Sequence, residues 1–171
     1  MIETESLVLE KAKFSDWTDM YRTVWSQPES ARYMEWSITT SDEDAQIRMV
    51  KTIAFQKEHD TYLVYEKSSG KAIGFAGVEK LGPHTCQEAG ICLGPKYVGK
   101  GFGRQILQGL MQYCREQYGA TEFIYSTRDE NTASNRLAKS CGFSLISSTA
   151  KTDSKDGHPY RLLQYKRSVT A

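Results

Sequence analysis

The sequence is short of most features that mark a specialised class of protein. It has no long apolar run, so it offers no transmembrane helix and no membrane partner is expected. Its first residues, Met-Ile-Glu-Thr-Glu, are acidic and lack the basic start and apolar centre of a secretory signal. The four cysteines, Cys86, Cys92, Cys114 and Cys141, form no Cys-x-x-Cys pair. They read as reduced, mostly buried thiols in a cytoplasmic protein. The three histidines, His59, His84 and His158, are scattered, and none pairs with a cysteine at ligand spacing, so no metal site is expected. Lysine plus arginine number 22 against 21 aspartates and glutamates, so no charge excess demands a nucleic acid. There are no repeats and no low-complexity segment. At 171 residues, the chain is expected to be one domain over 1–171 with a sizeable core.

What is present centres on Ile91-Cys-Leu-Gly-Pro-Lys-Tyr-Val-Gly-Lys-Gly-Phe-Gly-Arg-Gln-Ile-Leu107. An apolar run ends at Pro95. Glycines follow at alternate positions, Gly99, Gly101 and Gly103. Then Phe102, Ile106, Leu107, Leu110, Met111, Cys114 and Tyr118 recur at steps of three and four, the period of a helix. The pattern predicts strand, glycine turn, helix. Glycine lets the backbone turn tightly and approach a ligand. The free N–H groups of the first helical turn, with the positive end of the helix dipole, then meet an anion. Lys100 and Arg104 add positive charge there. The physics points to phosphate or pyrophosphate. A P-loop is excluded, because Gly101 rather than a hydroxyl residue follows Lys100. The dinucleotide fingerprint Gly-x-Gly-x-x-Gly is excluded because the third glycine comes one residue early.

Val98-Gly-Lys-Gly-Phe-Gly103 resembles the acyl-CoA turn of the GNAT acetyltransferases, usually Arg/Gln-x-x-Gly-x-Gly/Ala. Val98 stands in place of the Arg/Gln, which removes a side-chain contact and keeps the backbone cradle. A second stretch, Asn131-Thr-Ala-Ser-Asn-Arg136-Leu-Ala-Lys-Ser-Cys-Gly-Phe143, is similar to the late signature of the same family, Asn-x-x-Ser-x-x-(apolar)-x-Lys-x-Gly-Phe. Locally, Asn131 is a good N-cap and Gly142 a good helix terminator. The resemblance is strong over 86–143, and within the superfamily it is nearest the ribosomal-protein alanine acetyltransferases.

The remaining elements are read from pattern. Leu7–Leu9 is a strand. A helix begins at Phe14–Asp16, and Pro28 ends it. Residues 29–40 are irregular. Thr40–Asp44 starts a second helix, with Ile47, Val50, Ile53 and Ala54 expected as its buried face. Strands follow at 62–65, 72–78 and 85–93, with Gly74 and Gly77 signalling close backbone packing or a bulge. After the helix of the glycine turn come a strand at 121–126, a helix at 131–140, and strands from 143 and 160. This order predicts an α/β (α+β) protein: a mixed, mostly antiparallel sheet with helices on both faces, as in the GNAT fold.

The resemblance implies acetyl-CoA as cosubstrate and an N-acetyltransferase acting on a primary amine by direct transfer in a ternary complex. By that resemblance the pantetheine arm lies along Ile91, Cys92 and Leu93, through main-chain contacts. The pyrophosphate lies at Val98, Gly99, Lys100, Gly101, Phe102, Gly103 and Arg104, and Asn131, Ser134 and Arg136 complete the cofactor set. The overhanging segment offers Tyr33, Glu35 and Trp36 as acceptor contacts; as ordinary aromatics, Tyr33 and Trp36 would pack the helix pair onto the sheet.

Two catalytic roles need filling. Glu88, on the strand before the turn, is the candidate general base, and strict alternation puts it on the same face as Cys92 and opposite Ile91. The tyrosine that serves many of these enzymes as acid is replaced by Ala138. Ser134, Tyr125 and Ser126 are substitutes, or the thiolate leaves unassisted. The other class that fits is a CoA-binding sensor or interaction module without catalysis, favoured by the departures at Val98 and Ala138. A mononucleotide-binding protein comes third. The acceptor's identity is not written in these motifs, and a homodimer is compatible with them.

Overall fold

The computed structural model describes residues 1–169. Eight strands form one sheet: β1 Ile2–Glu3, β2 Leu7–Glu10, β3 Thr61–Glu66, β4 Ala72–Lys80, β5 Thr85–Leu93, β6 Glu122–Arg128, β7 Ser144–Thr152 and β8 Pro159–Ser168. Their order across the sheet is β1-β2-β3-β4-β5-β6-β8-β7. Every pairing is antiparallel except β5 with β6. The helices are α1 Trp17–Met20, α2 Pro28–Ala31, α3 Asp42–Glu58, α4 Phe102–Tyr118 and α5 Thr132–Ser140. The mixed, mostly antiparallel sheet with helices on both faces is the predicted architecture. Among the described residues, no helix is long and apolar enough to cross a membrane.

Two apolar clusters hold the layers together. On one face Ile106, Leu107, Leu110 and Cys114 of α4 and Ala138 of α5 pack with Leu7, Leu9, Ile73 and Phe123. On the other, Met20, Val24 and Trp25 join Ala45 and Met49 of α3 over Leu63 and Cys92. α4 is amphipathic, so one turn after another of its apolar residues is delivered to the sheet.

Three local expectations need correcting. Residues 28–31 are helical, because Pro28 opens a short helix at its first position, where a missing N–H costs nothing and φ is already set. The preceding helix closes with a π segment, Tyr21–Trp25, rather than running regularly into the proline. The buried face of α3 is not the predicted one. Ala45, Met49 and Gln56 are buried. Ile53 packs against that cluster, while Ile47, Val50 and Ala54 are exposed. Gln56 sits inside because its Oε1 accepts the N–H of Ala12 at 2.7 Å, and its carbonyl accepts Lys11 Nζ at 2.7 Å. A polar residue thus takes a core position by satisfying the backbone that crosses it.

The expectation of close packing at Gly74 holds. A Cβ there would lie 2.2 Å from the backbone oxygen of Cys92 on β5. Gly74→Ala is therefore expected to destabilise the protein by about 1–3 kcal/mol in urea unfolding, the usual cost of overpacking. A loss below about 0.5 kcal/mol, typical of an unconstrained surface position, would mean that β5 yields freely there.

Candidate functional site

The site starts from an interrupted ladder. β5 pairs with β6 only over Thr85–Gln87 against Glu122–Ile124, while β4 follows β5 as far as Leu93. Beyond Gln87 the two parallel strands separate, and the β6-facing backbone groups of β5 are left without a strand partner. A bulge marks the opening: Val78 pairs with Glu88 and Ala76 with Ile91, so Ala89 and Gly90 on β5 face the single residue Gly77 on β4. Gly90 has φ +114°, a conformation glycine accepts readily, and the extra residue bends the strand.

The bulge also corrects the predicted orientation of Glu88. One inserted residue reverses the alternation, so Glu88 shares a face with Ile91, not with Cys92. Their partners Val78 and Ala76 both belong to the α4-side core, whereas Cys92 is buried on the α1–α3 side. The Glu88 carboxylate then fills the point where the ladder stops. Its Oε2 accepts the Gly90 N–H at 2.6 Å, and its Oε1 accepts the Ser126 N–H of β6 at 3.3 Å. Enclosure by protein pushes its pKa up to about 7, against the pull of those two N–H donors. Glu88 remains half-buried, open to the cleft, so water still reaches it until a ligand fills the site.

After β5, a turn of 3₁₀-helix at Pro95–Tyr97 leads to the glycine turn. Gly99 and Gly101 have φ +77° and +81°, and a Cβ on either would meet nothing within 4 Å. Glycine is therefore required there by the backbone, and the space above it is open. Gly101 is the N-cap of α4, and no side chain caps that end. The N–H groups of Phe102, Gly103 and Arg104 in the first turn are thus free of helical bonds and available to an anion. The side chains of the turn take other duties. Phe102 is buried in the core, Lys100 Nζ lies over the Tyr97 ring at 5.5 Å, and Arg104 Nη2 donates to the Ser140 carbonyl at 3.2 Å.

A cavity of about 580 Å³ runs from this turn into the opened strands. Ile91–Leu93 form one wall, Val98, Gly99, Gly101, Gly103 and Arg104 the end, and Asn131, Ser134 and Arg136 of the α5 region the other wall. Asn131 caps α5, its Oδ1 accepting the Ser134 N–H at 3.2 Å. Its amide nitrogen has no protein acceptor among the described residues and remains able to donate into the cavity. The free first-turn N–H groups, the open glycines and the unpaired β5 edge together fit a pyrophosphate with an amide-bearing arm.

A second cavity of about 670 Å³ opens on the other side. The two share Tyr33, Met34, Ile91, Tyr125, Asn131 and Ser134. At that junction Tyr125 and Ser134, read as alternatives in the sequence, form a single hydroxyl pair 2.5 Å apart. Burial pushes the Tyr125 phenol well above its ordinary pKa, although the Ser134 bond acts the other way, so the hydroxyl keeps its proton at neutral pH. Ala138 is fully buried in the α4-side core, so no acid is delivered from that position.

Glu35 and Tyr33 line the second cavity, and Trp36 lines neither. The Trp36 ring is held under the Arg48 guanidinium at 4.5 Å and edge-on to Phe75 at 6.4 Å, a packing role. The Glu35 carboxylate is engaged by Arg128 at 3.1 Å. Arg128 was not legible beforehand, nor were Asp153, Tyr160 and Gln164. They read as a polar connection, a turn and an ordinary final strand, and only contacts across 25 to 125 residues assemble them. The four cysteines are free and buried, and burial pushes Cys92 up to about 12, which leaves it a poor nucleophile. No group of three or more His, Cys, Asp or Glu side chains gathers as a metal ion requires, among the described residues.

Comparison with known proteins agrees with this geometry. The model of the acetyltransferase (GNAT) domain family matches residues 6–144. The chain is 27% identical over 143 residues to an uncharacterised N-acetyltransferase, p20, of Bacillus licheniformis, covering 82% of this chain and 80% of that one. It is 32% identical over 100 residues to the N-alpha-acetyltransferase RimI of Mycobacterium tuberculosis, covering 54% of this chain and 60% of RimI. Its fold matches the microcin C7 self-immunity acetyltransferase MccE, solved in complex with acetyl-CoA and AMP, with a TM-score of 0.80 at 18% identity, over 96% of this chain and 93% of that one.

Two substitutions test the cavity wall. Gly101→Val blocks the open side of the turn and strains its backbone by about 1–3 kcal/mol. CoA binding measured by calorimetry is expected to disappear while circular dichroism shows a folded protein; unchanged affinity would place the anion site elsewhere. Asn131→Asp keeps the cap and loses the amide donor, so CoA affinity is expected to fall with little change in melting temperature. Equal affinity would leave Asn131 a purely structural residue.

Proposed function

The chain belongs to the acetyltransferase (GNAT) family, and on that premise we propose that it transfers acetyl from acetyl-CoA to a primary amine by direct attack within a ternary complex. The observation that carries this reading is the junction of the two cavities, with Glu88 at the opening between β5 and β6 and the Tyr125–Ser134 pair beside it. The first cavity takes the cosubstrate and the second takes the amine.

Bound acetyl-CoA supplies the thioester carbonyl that the amine attacks. The protein does the rest. The first-turn N–H groups of α4 hold the pyrophosphate, and the free edge of Ile91–Leu93 orients the arm, converting the encounter into an oriented, near-unimolecular one. Glu88 draws a cationic amine into the cleft as its carboxylate and accepts a proton from it, directly or through a water. The Tyr125 hydroxyl, bonded to Ser134 and lining both cavities, would supply the proton to the leaving thiolate. The family's usual acid position is held by the buried Ala138, and in this reading the hydroxyl pair takes its role. The likeness to an N-alpha-acetyltransferase makes peptides with a free N-terminus the first acceptors to try, beside small amines.

The deciding experiment is a panel of peptides and small primary amines with acetyl-CoA and detection of free thiol. Release of CoA dependent on one acceptor supports the reading; tight CoA binding without release for any acceptor would favour a non-catalytic CoA-binding module.

The pH dependence follows from Glu88. A base near pKa 7 must be ionised to work, so kcat/KM is expected to climb as pH rises through about 7. Glu88→Gln should abolish that limb and lower turnover by roughly 100- to 10,000-fold, with acetyl-CoA affinity little changed and partial rescue at high pH, where more amine is neutral. The stability sign is the opposite of a salt-bridged carboxylate. The folded pKa lies above the unfolded value, so the wild type loses stability as pH rises from the unfolded carboxyl range to about 7. Glu88→Gln is spared that loss, so its melting temperature should gain on the wild type between pH 5 and pH 8. Turnover within a few-fold of wild type would remove Glu88 from the chemistry.

A further inference from the structure

We propose that Arg128 is a positioning residue whose ion pairs clamp the overhanging segment 33–36 to the turn between β7 and β8, and that this clamp sets how wide an acceptor can reach Glu88. The inference rests on the second cavity being the acceptor site. Arg128 ends β6 and is almost fully buried, as is its partner Asp153 in the β7–β8 turn, with Nη1 and Oδ2 at 2.7 Å. Its other nitrogen, Nη2, reaches Glu35 Oε1 on the overhang at 3.1 Å. The Tyr160 ring lies 3.9 Å from the guanidinium carbon. One planar cation thus ties the overhang, which takes part in no strand pairing, to the end of β6 and the β7–β8 turn, a geometry suited to the rigid fork of arginine.

The turn adds a second tie that needs no charge pairing. Ser154 Oγ donates to Glu35 Oε2. Lys155 Nζ donates to the carbonyls of Ala31 at 3.0 Å and Trp36 at 3.3 Å, at both ends of the overhang. Glu35, Arg128 and Tyr160 line the second cavity and not the first. Loosening that wall widens the acceptor cavity and leaves the glycine turn untouched. Arg128 itself has both forks occupied by carboxylates, so it shapes the cavity rather than binding the acceptor.

Arg128 substitutions strand the buried Asp153 charge and would confuse clamp with folding, so the test acts on the turn. The double variant Ser154→Ala/Lys155→Met removes the second tie and leaves the buried pair intact. In the protein without ligand, hydrogen exchange of amides 29–36 is expected to speed up by about tenfold, with the sheet unchanged. With primary amines graded in width, acceptor KM is expected to rise about tenfold, kcat to stay within about twofold, and the wild-type ranking by width to flatten. Acetyl-CoA affinity by calorimetry should not move. Glu35→Gln should act in the same direction, and Lys155→Arg, which keeps the donors, should restore wild-type behaviour. Unchanged exchange at 29–36 in both Glu35→Gln, which breaks the Arg128 ion pair to the overhang, and the double variant overturns the clamp. Faster exchange with unchanged KM and width ranking overturns its role in specificity. A wild-type protein that binds acetyl-CoA and acetylates no amine overturns the catalytic reading and, with it, the role in specificity; the exchange measurement then judges the clamp alone.

Discussion

Everything at the site depends on one break in a hydrogen-bonded ladder. β5 is held to β4 along its length and to β6 for only three residues. A strand edge left unpaired inside a protein is costly unless something satisfies it. Here Glu88 closes the head of the gap by accepting from Gly90 and Ser126, and the rest of the edge is open to a ligand's own amides. The same carboxylate that terminates the ladder is therefore the one placed nearest the opening. Its raised pKa follows from that position, since a group that plugs a gap between strands gives up much of its hydration.

The opening would be useless on a soft scaffold. β5 is pinned on one face by α4 and on the other by Cys92 packed under the α1–α3 layer, so its displacement from β6 is fixed from both sides. α4 contributes twice. Its apolar face anchors it to the sheet, and its uncapped N-terminus ends at the cavity. A side-chain cap there would satisfy the first-turn N–H groups and remove the anion site, so the missing cap is what leaves them for a phosphate.

The division of the cleft also has a physical logic. The cavity beside the glycine turn is closed at one end by three glycines and along one side by the unpaired edge of β5, which suits a long ligand held by main-chain bonds. The cavity beyond Tyr125 and Ser134 is walled by Glu88 and by Glu35, Arg128 and Tyr160, the last three drawn together across distant segments.

Most elements, the glycine turn and the cap of α5 were legible because their signals are local. Alternate glycines before an apolar helix, and an asparagine cap before another, act within a few residues, and the structure puts both where those signals placed them. The face of Glu88 was misread because strict alternation carries no sign of a bulge, which depends on how β4 pairs with β5. The inward turn of Gln56 was missed because its partner, Ala12, lies 44 residues away. The Tyr125–Ser134 pair and the Arg128 network are likewise products of folding, joining residues that share no local pattern. The sequence by itself determined the order of elements, the glycine cradle and the capped helices, since backbone conformation and periodicity are short-range properties. The tertiary structure alone decided which way Glu88 faces, which hydroxyls meet and how the wall of the second cavity is held, since those depend on strand register and on charges paired across the chain.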